Sequence, residues 1–399
     1  MNCFRKLLPL LIIILIAELG ISQNWVQKTD FIGNARSAPT GFAIGDKCYL
    51  GLGSTSQYLD DFGVYDTISG LWNNSASFIG TPRNEAAAFV IGEYAYVGTG
   101  QNNSTFSDYY KYNPIPNSWS QIQSIPGQAR ESAVAFALNG KGYVGTGNNN
   151  GTKFEDFYSY DPQTNDWVQI TDFGGAPRYL AVGAATSDKG YVGLGITNQG
   201  WYETDFWEYD FLTNSWSEIA EFPSNGRRAA VCFSINNEIY VGLGEDSVGV
   251  YQNDFWRYVP SANQWFPAPS FPGNARIYAA GFSDGNIGYV GCGNQSSTHY
   301  NDFWTFAPGE LTVDVNEEES HNSHLFTVLY PNPVEHEFHI SSTGNLKGKT
   351  VSIYSIDGKL IEQKSYTQLV DISNLSEGIY IVKLLFQDET ETFQRLVVQ

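Results

Sequence analysis

A five-residue run, Tyr-Val-Gly-x-Gly or a close variant, occurs six times along the chain, and its spacing limits what the chain can fold into. The copies are Tyr49 to Gly53, Tyr96 to Gly100, Tyr143 to Gly147, Tyr191 to Gly195, Tyr240 to Gly244 and Tyr289 to Gly293. An arginine precedes each second glycine at one unvarying separation, that of Arg36 from Gly53; the others are Arg83, Arg130, Arg178, Arg227 and Arg276. After each glycine pair comes an aspartate followed by an aromatic, at Asp61, Asp108, Asp156, Asp205, Asp254 and Asp302. The first five aspartates are each followed by a tryptophan at a constant step, Asp61 to Trp72, with Trp119, Trp167, Trp216 and Trp265 completing the set. The same step then leads from each tryptophan to the next arginine, as from Trp72 to Arg83. A period of 47–49 residues fits one four-stranded sheet per repeat, and a unit that cannot bury both faces alone must stack on its neighbours.

The sixth repeat lacks its tryptophan: the step taken from Asp302 lands on Val313. Trp25 instead precedes Arg36 at the spacing that Trp72 keeps from Arg83. The cycle is therefore cut between Asp302 and Trp25, as a circular array requires. The N-terminal segment is expected to pair with the Asp302–Phe306 strand as the outer strand of the last blade and so remove a free sheet edge.

Within a repeat, the first strand follows the arginine, as in Ala86–Val90, and the second ends in the glycine pair. The third reads Asp-Phe-Trp-x-Tyr, and the fourth carries the tryptophan after an Asn-rich turn such as Asp161–Asn165. Aromatic side chains bring large apolar area to the contacts between blades, and glycine lets backbones approach closely. These motifs together resemble the kelch repeat, over residues 24–313, with one residue between glycines that are adjacent in most kelch repeats. The resemblance implies an all-β fold, a six-bladed kelch-type β-propeller spanning residues 23–313.

Composition agrees with short strands and tight turns: charged residues are 16%, aromatics 15%, and there are 40 glycines. The net charge of −20 repels phosphate backbones and argues against a nucleic-acid partner. Residues 1–22 read as a signal peptide, with Arg5 and Lys6, an apolar run from Leu7 to Ala17 and a small-residue site at Gly20–Ser22. No later stretch has the length of a membrane span. Past that leader, Cys48, Cys232 and Cys292 remain, an odd number with no CxxC and no Cys/His cluster, so neither a disulfide framework nor a metal site is expected. Nor is a cofactor: the chain has no Walker loop, HExxH, EF-hand loop or GxSxG elbow.

Residues 314–325, with Glu317-Glu318-Glu319, read as an acidic linker. Beyond it apolar residues alternate, as in Phe338/Ile340, Val351/Ile353 and Tyr380/Val382, and Asp357-Gly358 marks a hairpin. Residues 326–399 are expected to form a small β-sandwich of six or seven strands. Tyr330-Pro331-Asn332-Pro333, Val351–Tyr354, Asp357–Lys359, Val370–Leu375, Gly378–Tyr380 and Arg395–Val398 resemble the C-terminal sorting domain of the type IX secretion system. That resemblance implies a Bacteroidota-type source and handling by the type IX machinery through residues 326–399. It also implies export through the periplasm to the outer surface or beyond.

For a ligand site, the segment between each second glycine and its aspartate is the informative one. The step from glycine to aspartate varies as 8, 8, 9, 10, 10 and 9 while the other spacings stay fixed, and insertions confined to one loop mark one face, often the binding face. These loops carry Tyr58, Phe106, Phe154, Trp201, Tyr202, Tyr251 and Tyr300 among Asn, Ser and Thr, a mixture suited to sugars or peptides. Strand direction puts the arginines on the same face, and the residues after them differ from repeat to repeat: Glu85, Glu131, Tyr179, Arg228 and Tyr278. The candidate ligand-binding residues are Trp201, Tyr202, Tyr251, Tyr300, Tyr58, Glu85, Glu131 and Arg228. The six arginines read as blade-holding partners of the six aspartates. The leading expectation is a non-enzymatic module that binds a glycan or polypeptide on this face. The kelch resemblance implies an alternative, a secreted enzyme such as a sialic acid epimerase. Glu85 or Glu131 would then be its acid/base, and Arg83, Arg130 or Arg228 would hold a carboxylate. A protein-interaction scaffold is the third possibility.

Overall fold

A computed structural model describes residues 24–308 and, between 327 and 398, all but the short segments 331–333, 335, 343–347, 356–358 and 387–390. The expected signal peptide, the acidic linker, the Asp357-Gly358 turn and the Pro331–Pro333 motif lie outside the described residues. The chain divides into two compact units, Met1–Val313 and Asp314–Gln399.

The first unit is a β-propeller of six four-stranded antiparallel sheets. Blade one has strands Thr40–Ile44, Lys47–Gly51, Phe62–Asp66 and Leu71–Ser75, in sheet order. The next four blades repeat this order from first strands at Ala87–Ile91, Val134–Leu138, Val182–Ala185 and Val231–Ile235. Blade six takes Ala280–Ser283, Gly288–Gly291 and Phe303–Phe306, and its outer strand is Trp25–Gln27. Trp25 pairs with Phe306, Val26 with Thr305 and Gln27 with Trp304. The first strand of each blade contacts that of the next, and blade six contacts blade one.

Two hydrogen-bond circuits run round the ring. Each outer-strand tryptophan donates its indole N–H to a carbonyl just past the outer strand of the preceding blade. Trp72 donates to Thr29, Trp119 to Ala76, Trp167 to Gln123, Trp216 to Thr171, Trp265 to Ala220, and Trp25 to Pro269, at 2.8–3.3 Å. The amide of each second glycine donates to the carbonyl of the next blade's arginine, from Gly53 to Arg83 through to Gly293 to Arg36. Both circuits need the N-terminal segment to close. Close approach fixes some glycines: a Cβ on Gly142 would stand 2.1 Å from the Phe89 ring of the preceding blade.

The second unit has two sheets. One contains Thr327–Tyr330, Glu337–Ser342 and Leu369–Asp371; the other contains Leu360–Ser365, Gly348–Ser355, Gly378–Phe386 and Glu391–Val398. Their inner faces share one core, with Phe338, Ile340 and Val370 meeting Val351, Ile353, Val382, Leu384 and Leu396. Inward-facing residues alternate where Phe338 and Ile340 lie on Glu337–Ser342 and where Val382, Leu384 and Phe386 lie on Gly378–Phe386, which is the pattern of a β-sandwich.

Candidate ligand-binding site

The site is built from the arginine outward. In every repeat the residue between the two glycines is left-handed (φ 54 to 60°), and the second glycine follows at φ 86 to 99°. This bend aims the carbonyl of Leu52, Thr99, Thr146, Leu194, Leu243 or Cys292 at the arginine Nη1, at 2.9–3.1 Å. The guanidinium also donates two bonds to its aspartate at 2.5–3.1 Å. Its Nε donates to the carbonyl two residues back, from Asn34 to Asn274 round the ring. Phe31, Phe78, Phe154, Phe173, Phe222 and Phe271 lie 4.6–5.1 Å from the six guanidinium carbons. All six arginines are 0% exposed. Paired, stacked and buried, they hold the blades. Arg83 and Arg130 therefore cannot offer a fork to a ligand carboxylate, and of the three arginines considered for that role only Arg228 faces the open site.

The residues next to these pins form a cup on the axis. The residue after each arginine pairs through its backbone with the residue after a second glycine: Ser37 with Ser54, Asn84 with Gln101, Glu131 with Asn148, Tyr179 with Ile196, Arg228 with Glu245, and Ile277 with Asn294. One residue further on, Ala38, Glu85, Ser132, Leu180, Ala229 and Tyr278 all take left-handed conformations, φ 49 to 55°. Their backbones form a collar about the axis. Glu85 N–H donates to Ala38, Ser132 to Glu85, Ala229 to Leu180, Tyr278 to Ala229 and Ala38 to Tyr278, at 2.9–3.2 Å. Below the collar, starting at Pro39, Ala86, Ala133 and Ala230, lies an axial channel with cavities of about 190 and 490 Å³. Glycine and alanine line much of its wall, with Cys232 among them, and Phe42, Phe89, Phe136, Phe233 and Phe282 ring the larger cavity. Cys48, Cys232 and Cys292 are all free thiols.

The cup has three chemically different sectors. Blades six, one and two contribute neutral polar groups: Ser37 Oγ donates to Asn294 Oδ1 at 2.7 Å, and Asn84 Nδ2 to Ser54 Oγ at 3.1 Å. The next sector is acidic. Ser132 Oγ donates to Glu85 Oε2, and Asn148 Nδ2 to Glu131 Oε1 at 2.7 Å. Opposite in character, Leu180, Ala229 and Ile277 form an apolar cluster against Tyr179, Tyr251 and Tyr278. Beside this cluster, Arg228 donates through Nε and Nη2 to Glu245 Oε2 at 2.8 and 2.6 Å. Burial pushes the Glu85 carboxyl up to about 7; the Ser132 bond and Arg228 oppose that, and the Glu131 charge adds to it. Burial likewise raises the Tyr179 and Tyr278 phenols, both of which feel the charges of Glu85, Glu131 and Arg228.

The residues singled out from sequence fall into different places. Glu85, Glu131 and Arg228 meet in the cup, and Tyr202 interacts electrostatically with Tyr179 and Arg228. Tyr251 packs on the apolar cluster, and its hydroxyl accepts from Ser296 N–H at 3.2 Å. Tyr300 folds back over the Arg276 guanidinium at 4.1 Å, as Phe106 does over Arg83 at 4.0 Å. Tyr58 turns to Gln101 Oε1 at 3.1 Å. Trp201 is 67% exposed at a loop tip, where its amide and carbonyl close a turn on Thr197. Ser132, Asn148, Glu245 and the cup's apolar trio were not singled out. Comparing the two positions after the arginine with the one after the second glycine, repeat by repeat, would have found them. Among the described residues no group of three His, Cys, Asp or Glu is placed to hold a metal ion.

Residues 328–399 match the family model described as "Secretion system C-terminal sorting domain". The tail is a type IX sorting domain, and it marks the chain for export to the outer surface or the medium. No helix among the described residues is long and apolar enough to cross a membrane. No curated protein matches the sequence. Among solved structures, one titled "Structure of YjhT" is 21% identical with a TM-score of 0.60, covering 69% of this chain and 96% of that one. At that identity the likeness speaks for the propeller fold alone.

Proposed function

We propose that the chain is a secreted glycan-binding protein whose ligand sits in the axial cup on the variable-loop face. In this reading residues 1–22 are the signal peptide, residues 23–313 are a kelch-type propeller that carries the function, and residues 314–325 link it to the sorting domain. The observation that carries the proposal is the sectoring of the cup. A sugar ring has an apolar face and a rim of hydroxyls. Tyr179, Tyr251 and Tyr278 stand around one apolar cluster. Asn84, Glu131, Asn148 and Ser132 present donors and acceptors on other blades. Aromatic platforms joined to a few placed polar groups suit such a ligand, and the rigid collar spares the site the entropy of ordering itself on binding. The test is a glycan and peptide array probed with residues 23–399, repeated with Tyr179→Ala and Glu131→Gln. Glycan hits should weaken by about 2 kcal/mol, roughly thirtyfold, in Tyr179→Ala. Hits confined to peptides, or unchanged in both variants, would overturn it.

Glu85 supports a second reading, that of a sugar epimerase. A carboxyl held near 7 beside Glu131 and Arg228 is poised to give and take a proton at neutral pH. Proton NMR of anomeric and epimeric exchange in candidate sugars, with wild type against Glu85→Gln, decides between binding alone and turnover.

A further inference from the structure

The rim of the cup is uneven. The longest glycine-to-aspartate loops stand over blades four and five, where Trp201, Val248 and Val250 are exposed at the tips. The loops of blades one and two are the shortest, two residues shorter than those. Between these two short loops lies a groove of about 620 Å³, within the roughly 300–1,000 Å³ typical of ligand sites. Its lining includes Ser54, Ser56, Gln57, Tyr58, Asn102 and Asn103, and none of its lining residues is charged. Neutral donors and acceptors beside one tyrosine ring match sugar hydroxyls and a sugar face.

The groove is continuous with the cup. Ser54 lines it and also accepts from Asn84 Nδ2 in the cup. The Tyr58 hydroxyl donates to Gln101, whose backbone pairs with Asn84. Asn84 therefore sits at the junction. It is 8% exposed, and its buried Oδ1 has no hydrogen-bond partner among the described residues. A buried acceptor left unpaired costs about 1–3 kcal/mol, and a ligand hydroxyl passing from cup to groove would satisfy it.

We infer that the site takes an oligosaccharide chain, with one unit seated in the axial cup and the following units leaving over blades one and two, along the Ser54–Tyr58 and Asn102–Asn103 groove. This rests on the reading of the cup as a glycan site.

The experiment is calorimetric titration of residues 23–399 with ladders of one to six units in the cello-, chito- and manno-oligosaccharide series. In a series that binds, affinity is expected to rise at least tenfold from one unit to four. Ser56→Trp and Gln57→Trp, at exposed positions where the fold has little to lose, should each remove that gain and leave single-unit affinity unchanged. Equal affinity for one unit and four would overturn the extension and leave the cup standing. A length gain untouched by both variants would also overturn it, by placing the chain elsewhere. If no series binds, the glycan reading and the extension fall together.

Discussion

Arg130 makes the same contacts as its five counterparts: two bonds to Asp156, one to Thr146, one to Gln128, and a phenyl ring against its face. Removing it leaves the buried Thr146 carbonyl without its donor and the partly buried Asp156 carboxylate without its countercharge. Arg130→Ala should cost about 3–5 kcal/mol, measured by urea unfolding, whereas a ligand-only role would leave stability within about 0.5 kcal/mol. The fixed spacings disclosed this partnership in the sequence. Glu85 was legible only as an odd residue beside an arginine; its contact with Ser132 crosses between blades, and local spacing carries no such information. Its carboxyl, at about 7, lies above the ordinary 4.5, so the folded chain holds the proton more tightly than the unfolded one. The stability this adds is full below about 4.5 and is lost as pH rises through 7. Glu85→Gln should therefore raise the melting temperature at pH 8 and change it little at pH 5. An equal change at both values would show that ionisation is not the cause.

At the level of elements, the closing strand was readable because a missing tryptophan and a surplus one share an offset. In the fold Trp25 is 5% exposed, packs edge-on against Phe255 and Phe271, and caps the indole circuit on Pro269. Trp25→Ala should cost about 3–5 kcal/mol and lower the unfolding temperature of the whole ring in a single transition. A separate early transition of blade six would mean that the ring does not depend on its closure. The loops were harder to read. Their lengths located the variable face, but not which rings turn inward. Phe106, Phe154 and Tyr300 stand two residues before their aspartates and lie over arginines. Tyr202 and Tyr251 stand three before, and their surroundings are those of the cup. One residue of extended chain reverses a side chain's direction, so the neighbour Trp201 is left at the surface. Trp201→Ala should leave both stability and glycan affinity nearly unchanged.

For the whole molecule, propeller and tail have separate cores and separate tasks. Deleting residues 328–399 should leave a folded propeller retained in the periplasm, seen by fractionation and by unchanged melting of the purified ring. Its appearance in the medium would contradict the sorting role. The fold of the ring was largely written in its periodicity, because one blade repeats six times and each copy averages out local noise. The ligand site was not, because function breaks that symmetry at positions where the repeats disagree. Those disagreements, gathered on the axis, make the proposed binding site. The most direct measurement is a crystal structure of the chain with an array-identified glycan. A sugar ring is expected against Tyr179 and Tyr278 with hydroxyls at Glu131 and Asn84; density at the channel mouth on the opposite face, or at Trp201 alone, would contradict a cup-bound glycan.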